Sequence, residues 1–394
     1  MGTVGPAFAG RRKTSSADPY GAIQARKLPW QFLQIKQDAQ DAKVLLIETF
    51  PQNTIIFVMT QEATTPQSSS RYLLTGAKGF IGAWIVKMLI ERGDIPWIYD
   101  LDTQSHRLRH LLSDEQLERI NFVTGDVTNF DDLDRAVAEN GITHLLHLAA
   151  LQVPFCAADP LLGARVNVLG TLNAFEVVRK RRDLIKRIVY ASSGAVFGPE
   201  EFYGHTTVPE GAPLLPNTHY GVFKQANEGN ARVYYLNDGI SSAGLRPGTV
   251  YGVGRDRGIT SGPTKAIKAA IAGRPYTIRF TGGFDMQYAR DTAEIFLRCA
   301  ASQVEGAKTY TLRGTVIQMG DFLETLNRLL PKSREFIHAE GKPIPIAYDF
   351  DDSALVRDIG SAPRTPLENG VRETAEIFSR LLSENQLDTA DLDS

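Results

Sequence analysis

Residues 71–82 read Arg71-Tyr72-Leu73-Leu74-Thr75-Gly76-Ala77-Lys78-Gly79-Phe80-Ile81-Gly82. The first five form a short apolar run of strand character. Three glycines follow at positions 76, 79 and 82, and Ala83–Arg92 is then apolar at helical spacing until Gly93 stops the helix. A second apolar strand, Ile95–Asp100, ends in a carboxylate 24 residues after Gly76. Glycines at this spacing mean little alone. Between a strand and a helix, with an acid at that distance, they predict a dinucleotide-binding βαβ unit. Gly76 permits the tight turn, Gly79 lets backbone N–H groups approach a pyrophosphate, and Gly82 lets helix and strand pack closely. The helix N-terminus attracts the phosphates. Asp100 can accept hydrogen bonds from both adenosine ribose hydroxyls and would repel a 2′-phosphate, so NAD is expected over NADP. Arg107 and Arg109 lie downstream and are the candidates for a 2′-phosphate if one binds.

Outward from this unit the βα alternation continues. Arg119–Val123 is a strand, Phe130–Asn140 a helix, and Thr143–Ala150 a buried strand. The fold class expected is α/β, a doubly wound parallel sheet with helices on both faces and a smaller C-terminal substrate-binding part. His144 and His147 are three apart on a strand and point to opposite faces, so they cannot share an ion. No metal site is expected. The strand ending at Ala191 runs into Ser192-Ser193-Gly194. Downstream, Tyr220 is followed by Lys224, and of thirteen tyrosines only Tyr220 has Lys at i+4. On a helix those two share a face. A tyrosine with its ordinary pKa near ~10 is a poor base at neutral pH. A neighbouring ammonium and a positive nicotinamide would lower that pKa. Tyr220 could then take a hydroxyl proton as hydride leaves. Ser193 would orient the same oxygen, and Lys224 would also hold the nicotinamide ribose.

Composition sets limits. The chain has 394 residues, 43% apolar and 22% charged, with a net charge of −2. That gives no electrostatic case for nucleic acid or an anionic membrane. The basic run Arg179–Arg182 closes an apolar helical pattern and reads as a solvated helix C-terminus. Two cysteines, Cys156 and Cys299, make no disulfide framework and no zinc spacing. No apolar run approaches the ~20 residues that span a bilayer. A cytoplasmic protein acting on a small-molecule substrate is expected.

The run Thr75–Gly82, with Gly125-Asp126-Val127, His147–Ala150, Asn167–Thr171, Ser192–Gly198, Tyr220…Lys224 and Leu245–Gly252, resembles the NAD-dependent epimerase/dehydratase family of extended short-chain dehydrogenases. The likeness is good over residues 71–300 and loose over 300–380. It implies that Gly76, Gly79, Phe80 and Ile81 line the pyrophosphate and that Asp100 holds the ribose. Asp126 and Val127 would meet the adenine. Leu148, Ala149 and Ala150 would follow the cofactor, and Asn167 would support the site. Ser193, Tyr220 and Lys224 would be catalytic, with Pro247 and Val250 near the nicotinamide. Ser192 is the substitute for Ser193, which is preferred because it lies five residues before Gly198. The resemblance also implies a homodimer.

Departures narrow the chemistry. Dehydratases of the family carry Asp-Glu after the catalytic Ser/Thr position, where this chain has Gly194-Ala195. Nucleotide-sugar epimerases carry an Arg about seven residues before an Asp-x-Ala segment. Here that segment is Asp291–Ala293, and Gly283–Asp285 supplies no Arg. Arg255, Arg257, Arg279 and Arg290 are the possible compensations. Phe223 replaces a small residue before the lysine. The expected activity is hydride transfer at a secondary hydroxyl of a sugar, sugar acid or polyol. The alternatives are a nucleotide-sugar epimerase and a non-catalytic NAD sensor. Residues 71–251 are expected to form the NAD-binding domain, and 252–380 mainly the substrate part, with 286–302 returning to the NAD domain. The polar loop Gly254–Gly262 is the candidate for substrate contact. Residues 381–394 are expected to be a frayed acidic tail. Residues 1–70 show no period, and Met59 is expected to be the natural start.

Overall fold

The computed structural model describes residues 70–204 and 206–393. The expectations for the irregular N-terminal stretch and for Met59 lie outside the described residues. Seven strands form one parallel sheet: β1 (Tyr72–Thr75), β2 (Pro96–Asp100), β3 (Asn121–Thr124), β4 (His144–His147), β5 (Arg187–Ala191), β6 (Ser242–Arg246) and β10 (Ala307–Thr311). Their spatial order is β10-β6-β5-β4-β1-β2-β3. Every pairing in it is parallel. The order reverses between β1 and β4, and a crevice opens at such a reversal, outside the carboxyl ends of the strands.

The strands are short and apolar throughout because both faces are covered. Alternate residues go to opposite faces. Leu73, Leu145, Ile188 and Tyr190 join one core; Leu74, Leu146 and Val189 join the other. The helices Phe80–Glu91 and Ala289–Ala301 pack together over the second face. Helices Phe130–Glu139, Gly170–Lys180 and His219–Asp238 cover the first. The helical stretch 160–180 is long and apolar enough to cross a bilayer by composition, and half of that window is buried inside the fold. Its centre, Arg165–Leu169, is a π-turn. The basic run after it is spent on the neighbouring helix: Lys180 Nζ and Arg181 Nε lie 2.6 and 2.7 Å from the carboxylate of Asp134.

The remaining strands build a smaller part above the crevice. β7 (Thr249–Tyr251) pairs in parallel with β9 (Gly283–Tyr288), which pairs antiparallel with β11 (Thr315–Gln318). β8 (Tyr276–Ile278) pairs with β12 (Ile337–Ala339). Two expectations need correction. Residues 307–311 lie in the main sheet as its edge strand, not in the substrate part. The sequence Ala-Lys-Thr-Tyr-Thr lacks the continuous apolar run of a central strand because one side of it is open. The acidic tail is not frayed. Leu392 is buried, Lys268 Nζ reaches Asp391 at 2.7 Å, and Arg274 reaches Asp393 at 2.6 Å. Cations on and just after the Gly262–Ala272 helix neutralise the acids and let the chain end pack.

Candidate active site

The cleft at the sheet's reversal has a volume of about 980 Å³. Gly76 closes β1 at φ +68°, and a Cβ there would lie 2.6 Å from the Cα of Ala149. Only glycine lets the loops after β1 and β4 come this close. The turn leads through Gly79 into the Phe80–Glu91 helix, so unpaired N–H groups face the cleft. Asp100, at the end of β2, accepts from the backbone N–H of Lys78 at 3.3 Å and of Leu101 at 2.9 Å. Lys78 Nζ lies 3.8 Å from it and pairs with Asp102. Arg107 is not free for a 2′-phosphate. Its Nη2 binds both oxygens of Asp256, at 2.7 and 2.8 Å, and its Nε binds the Gly254 carbonyl. Arg109 is exposed on its helix and does not line the cleft.

Gly76, Gly79, Phe80, Ile81, Asp100, Asp126, Val127, Leu148, Ala149 and Ala150 all line this cleft, as do Ser193, Tyr220, Lys224, Pro247 and Val250. Asn167 does not. It is fully buried and clamps the residue after the Leu148–Ala150 run: its Oδ1 accepts from the Leu151 N–H at 2.7 Å and its Nδ2 donates to the Leu151 carbonyl at 2.9 Å. It shapes the cleft wall from behind. Asn173 does the same for Val127, donating to its carbonyl at 2.9 Å.

Thr218 caps the His219–Asp238 helix, accepting from the Gly221 N–H at 3.1 Å. A Cβ on Gly221 would lie 2.2 Å from the Ala195 carbonyl oxygen. Absence of that carbon seats the helix start against the turn after β5, and so brings Tyr220 to Ser193. The Ser193 hydroxyl lies near enough to the Tyr220 phenol to favour its charged form. Lys224 sits one turn on, its Nζ 5.6 Å from the Tyr220 ring centre and 2.6 Å from the Ala191 carbonyl. The choice between the two serines has a geometric basis. Both border the cleft, but Ser192 is buried and donates to Glu228 at 2.5 Å, while Ser193 stays part-exposed. Glu228 also holds Arg246 in a buried two-point pair of 2.7 and 2.6 Å.

Burial raises the Tyr220 pKa; the Ser193 hydroxyl and the charge of Arg255 pull against it. Lys224 is itself buried. Its own pKa is pushed down to about 8 by burial, with the Cys156 and Glu228 charges pulling upward. The ammonium lies over the ring face and gives a proton to Ala191, away from the phenol oxygen. At the cleft floor, burial pushes Asp285 up to about 7. Its Oδ1 accepts from the Gly314 N–H at 2.7 Å and its Oδ2 from Gln287, which in turn accepts from Gly248 beside Pro247.

Of the four candidate arginines, Arg255 alone lines the cleft. Arg279 and Arg290 pair with Glu340 and Glu373 at the surface, and Arg257 is exposed. Phe223 packs on the helix before the π-turn, where a Cβ on Gly163 would lie 3.0 Å from its ring. The Glu228–Arg246 pair escaped the sequence reading. Glu228 lies four residues after Lys224, and the same helical arithmetic that paired Tyr220 with Lys224 would have put it on that face. Among the described residues no cluster of His, Cys, Asp and Glu could hold a metal ion.

The sheet order, the glycine-lined turn and the strand-end acid place the chain among Rossmann-fold dinucleotide enzymes. Residues 72–312 match the family model described as the NAD dependent epimerase/dehydratase family, and the chain belongs to that family. It is 28% identical over 325 residues to a UDP-glucose 4-epimerase of Mycolicibacterium smegmatis, covering 78% of this chain and 98% of that one. A UDP-glucuronate 4-epimerase of Thermodesulfobacterium geofontis is 26% identical, with 77% and 94% covered. Among solved structures, the Thermus thermophilus UDP-glucose 4-epimerase in complex with NAD superposes with a TM-score of 0.63 at 25% identity, covering 78% of this chain and 98% of that one. A partial consensus L-threonine 3-dehydrogenase superposes with a TM-score of 0.68 at 24% identity, over 79% and 99%. The chain is an NAD-dependent epimerase or dehydrogenase by family.

Proposed function

We propose that the protein is an NAD-dependent oxidoreductase that transfers hydride at a secondary hydroxyl of a small carbohydrate-like substrate, with Ser193, Tyr220 and Lys224 as its catalytic residues. The observation that carries this reading is the placing of all three in one cleft with the glycine turn and Asp100. The cradle fits a dinucleotide: Gly76 and Gly82 let the loops after β1 and β4 and the helix start close up, and Asp100 offers a carboxylate at the end of β2. NAD supplies the hydride acceptor when bound. Asp100 holds the ribose hydroxyls and disfavours a 2′-phosphate, and Arg107, tied to Asp256, offers that phosphate no partner. Ser193 orients the substrate hydroxyl. Tyr220 takes its proton, and Lys224 holds the ribose and keeps positive charge near the phenol. Gly194 and Ala195 bring no acid or base to a water elimination, which argues against dehydration.

An epimerase needs the same three residues and returns the hydride to the other face of the keto intermediate. The UDP-sugar 4-epimerase relatives favour this second reading. One experiment separates them. Absorbance at 340 nm is followed with NAD or NADP against sugars, sugar acids, polyols and nucleotide sugars. Steady NADH from one substrate establishes the dehydrogenase. Isomerised product by NMR without net NADH establishes the epimerase. Neither signal from any compound would overturn both readings and leave the sensor.

A further inference from the structure

Lys78, Arg107, Lys224 and Arg255 line the cleft. Three of them are satisfied by the protein. Lys78 pairs with Asp102, Arg107 with Asp256, and Lys224 donates to the Ala191 carbonyl. Arg255 differs. Among the described residues no carboxylate lies within ion-pair distance of it. The nearest acid in the chain, Asp256, has both oxygens on Arg107 and one also 3.1 Å from His106. Arg255 Nη2 donates to Thr260 at 2.7 Å, the guanidinium lies 5.9 Å from the Phe80 ring centre, and Nε is buried without a partner. A half-buried cation with a buried, unmet donor and no ion-pair partner is costly. Such a group persists where a ligand completes it.

The loop is built to hold it there. Gly254 and Gly258 flank Arg255 at φ +97° and +89°, which turns the segment back on itself. A Cβ on Gly258 would lie 3.5 Å from both Arg255 Nη2 and Gln152 Oε1, so Gln152 stands at the same spot. Arg255 and Tyr220 are near enough to act on each other electrostatically. Both side chains line the same cleft, so an anion bound by Arg255 would share it with Tyr220. In a nucleotide sugar, the diphosphate lies a sugar ring away from the carbon that is oxidised.

We propose that Arg255 binds a carboxylate of the substrate, so that the hydroxyl oxidised beside Tyr220 belongs to a hydroxy acid. This rests on the hydride-transfer reading above for its role in turnover, but not for the binding itself. The guanidinium gives two N–H groups to the carboxylate, Thr260 fixes its other edge, and the Phe80 face supports it from the cofactor side.

The test uses the NAD-loaded full chain. Binding by calorimetry and NADH formation at 340 nm are measured with a panel of three- to six-carbon hydroxy acids, among them glycerate, D-gluconate and D-galacturonate. Neutral counterparts (glycerol, D-glucitol) and UDP-glucose are run beside them. The expected result is binding of at least one acid, with its neutral counterpart far weaker. Arg255→Gln should weaken that acid about 10- to 100-fold, chiefly in KM, with Arg255→Lys in between. Arg279→Gln at the surface should change nothing. Acid binding through Arg255 without NADH would leave the carboxylate site standing and sink the redox reading instead. The inference is overturned if no acid in the panel binds, if the neutral counterpart binds as well, or if Arg255→Gln is indifferent. It is also overturned, in favour of a diphosphate, if UDP-glucose alone responds to that substitution.

Discussion

At the scale of single residues, the same side-chain type serves different ends according to what surrounds it. Ser192 and Ser193 are adjacent, yet one is buried on Glu228 and the other stays part-exposed. The Glu228–Arg246 pair behind them is buried on both sides. Removing one partner of such a pair leaves the other charge uncompensated and costs about 3–5 kcal/mol. Glu228→Gln should therefore lower the urea midpoint strongly, whereas Ser192→Ala, which loses one hydrogen bond, should cost about 1 kcal/mol. Equal midpoints for Glu228→Gln and wild type would show that the pair holds nothing together. That Tyr220, Lys224 and Ser193 meet in one cleft was legible because spacing on a helix and position after a strand are local properties. Sequence could not tell Arg255 from Arg257 or Arg279. Which arginine faces a cleft depends on the turn that Gly254 and Gly258 impose, and that is set by packing across the chain.

At the scale of elements, close approach governs the cofactor half. The Phe80–Glu91 helix touches the loop after β1 through Gly82, where a Cβ would meet the Ala77 Cα at 2.5 Å and its carbonyl oxygen at 2.8 Å. Both are backbone atoms, so the helix itself must lift. Gly82→Ala should cost about 1–3 kcal/mol in stability and weaken NAD binding, read by thermal melting with and without NAD. An unchanged melt and affinity would mean that the helix start has room to spare. Glycine spacing and apolar runs made β1, β2, β4 and their helices visible in the sequence. The strands of the smaller part were not visible, for a physical reason. β7, β8 and β12 are three residues each and pair with partners far along the chain. Strands that short carry no period, and their pairing is decided by tertiary contacts. The tail was misread for a related reason. Its acids look solvated until Lys268 and Arg274 are placed beside them.

At the scale of the whole molecule, the main sheet fixes how the fold responds to acid. Burial pushes the His144 pKa down to about 4 and that of His147 down to about 3. His147 lies between the Thr75 and Thr171 hydroxyls, at 2.8 and 3.1 Å, and after burial the Lys224 charge also opposes its protonation. Both rings stay neutral in the fold while the unfolded chain protonates them near ~6.5. The unfolded state binds more protons, so stability falls as pH drops below about 6.5, towards 4 for His144 and 3 for His147. Each ring contributes up to about 1 kcal/mol per pH unit in its window. Urea unfolding between pH 7 and 4.5 should show this slope, reduced in His147→Gln; a flat profile would contradict it. The catalytic proposal is tested most directly by rapid mixing of the NAD-loaded enzyme with a hydroxy acid it oxidises, protiated or deuterated at the carbinol carbon. Absorbance at 340 nm should rise, more slowly for the deuterated acid. In Tyr220→Phe the rate should fall about 10²- to 10⁴-fold while NAD binds as before. A wild-type rate in Tyr220→Phe would contradict the account.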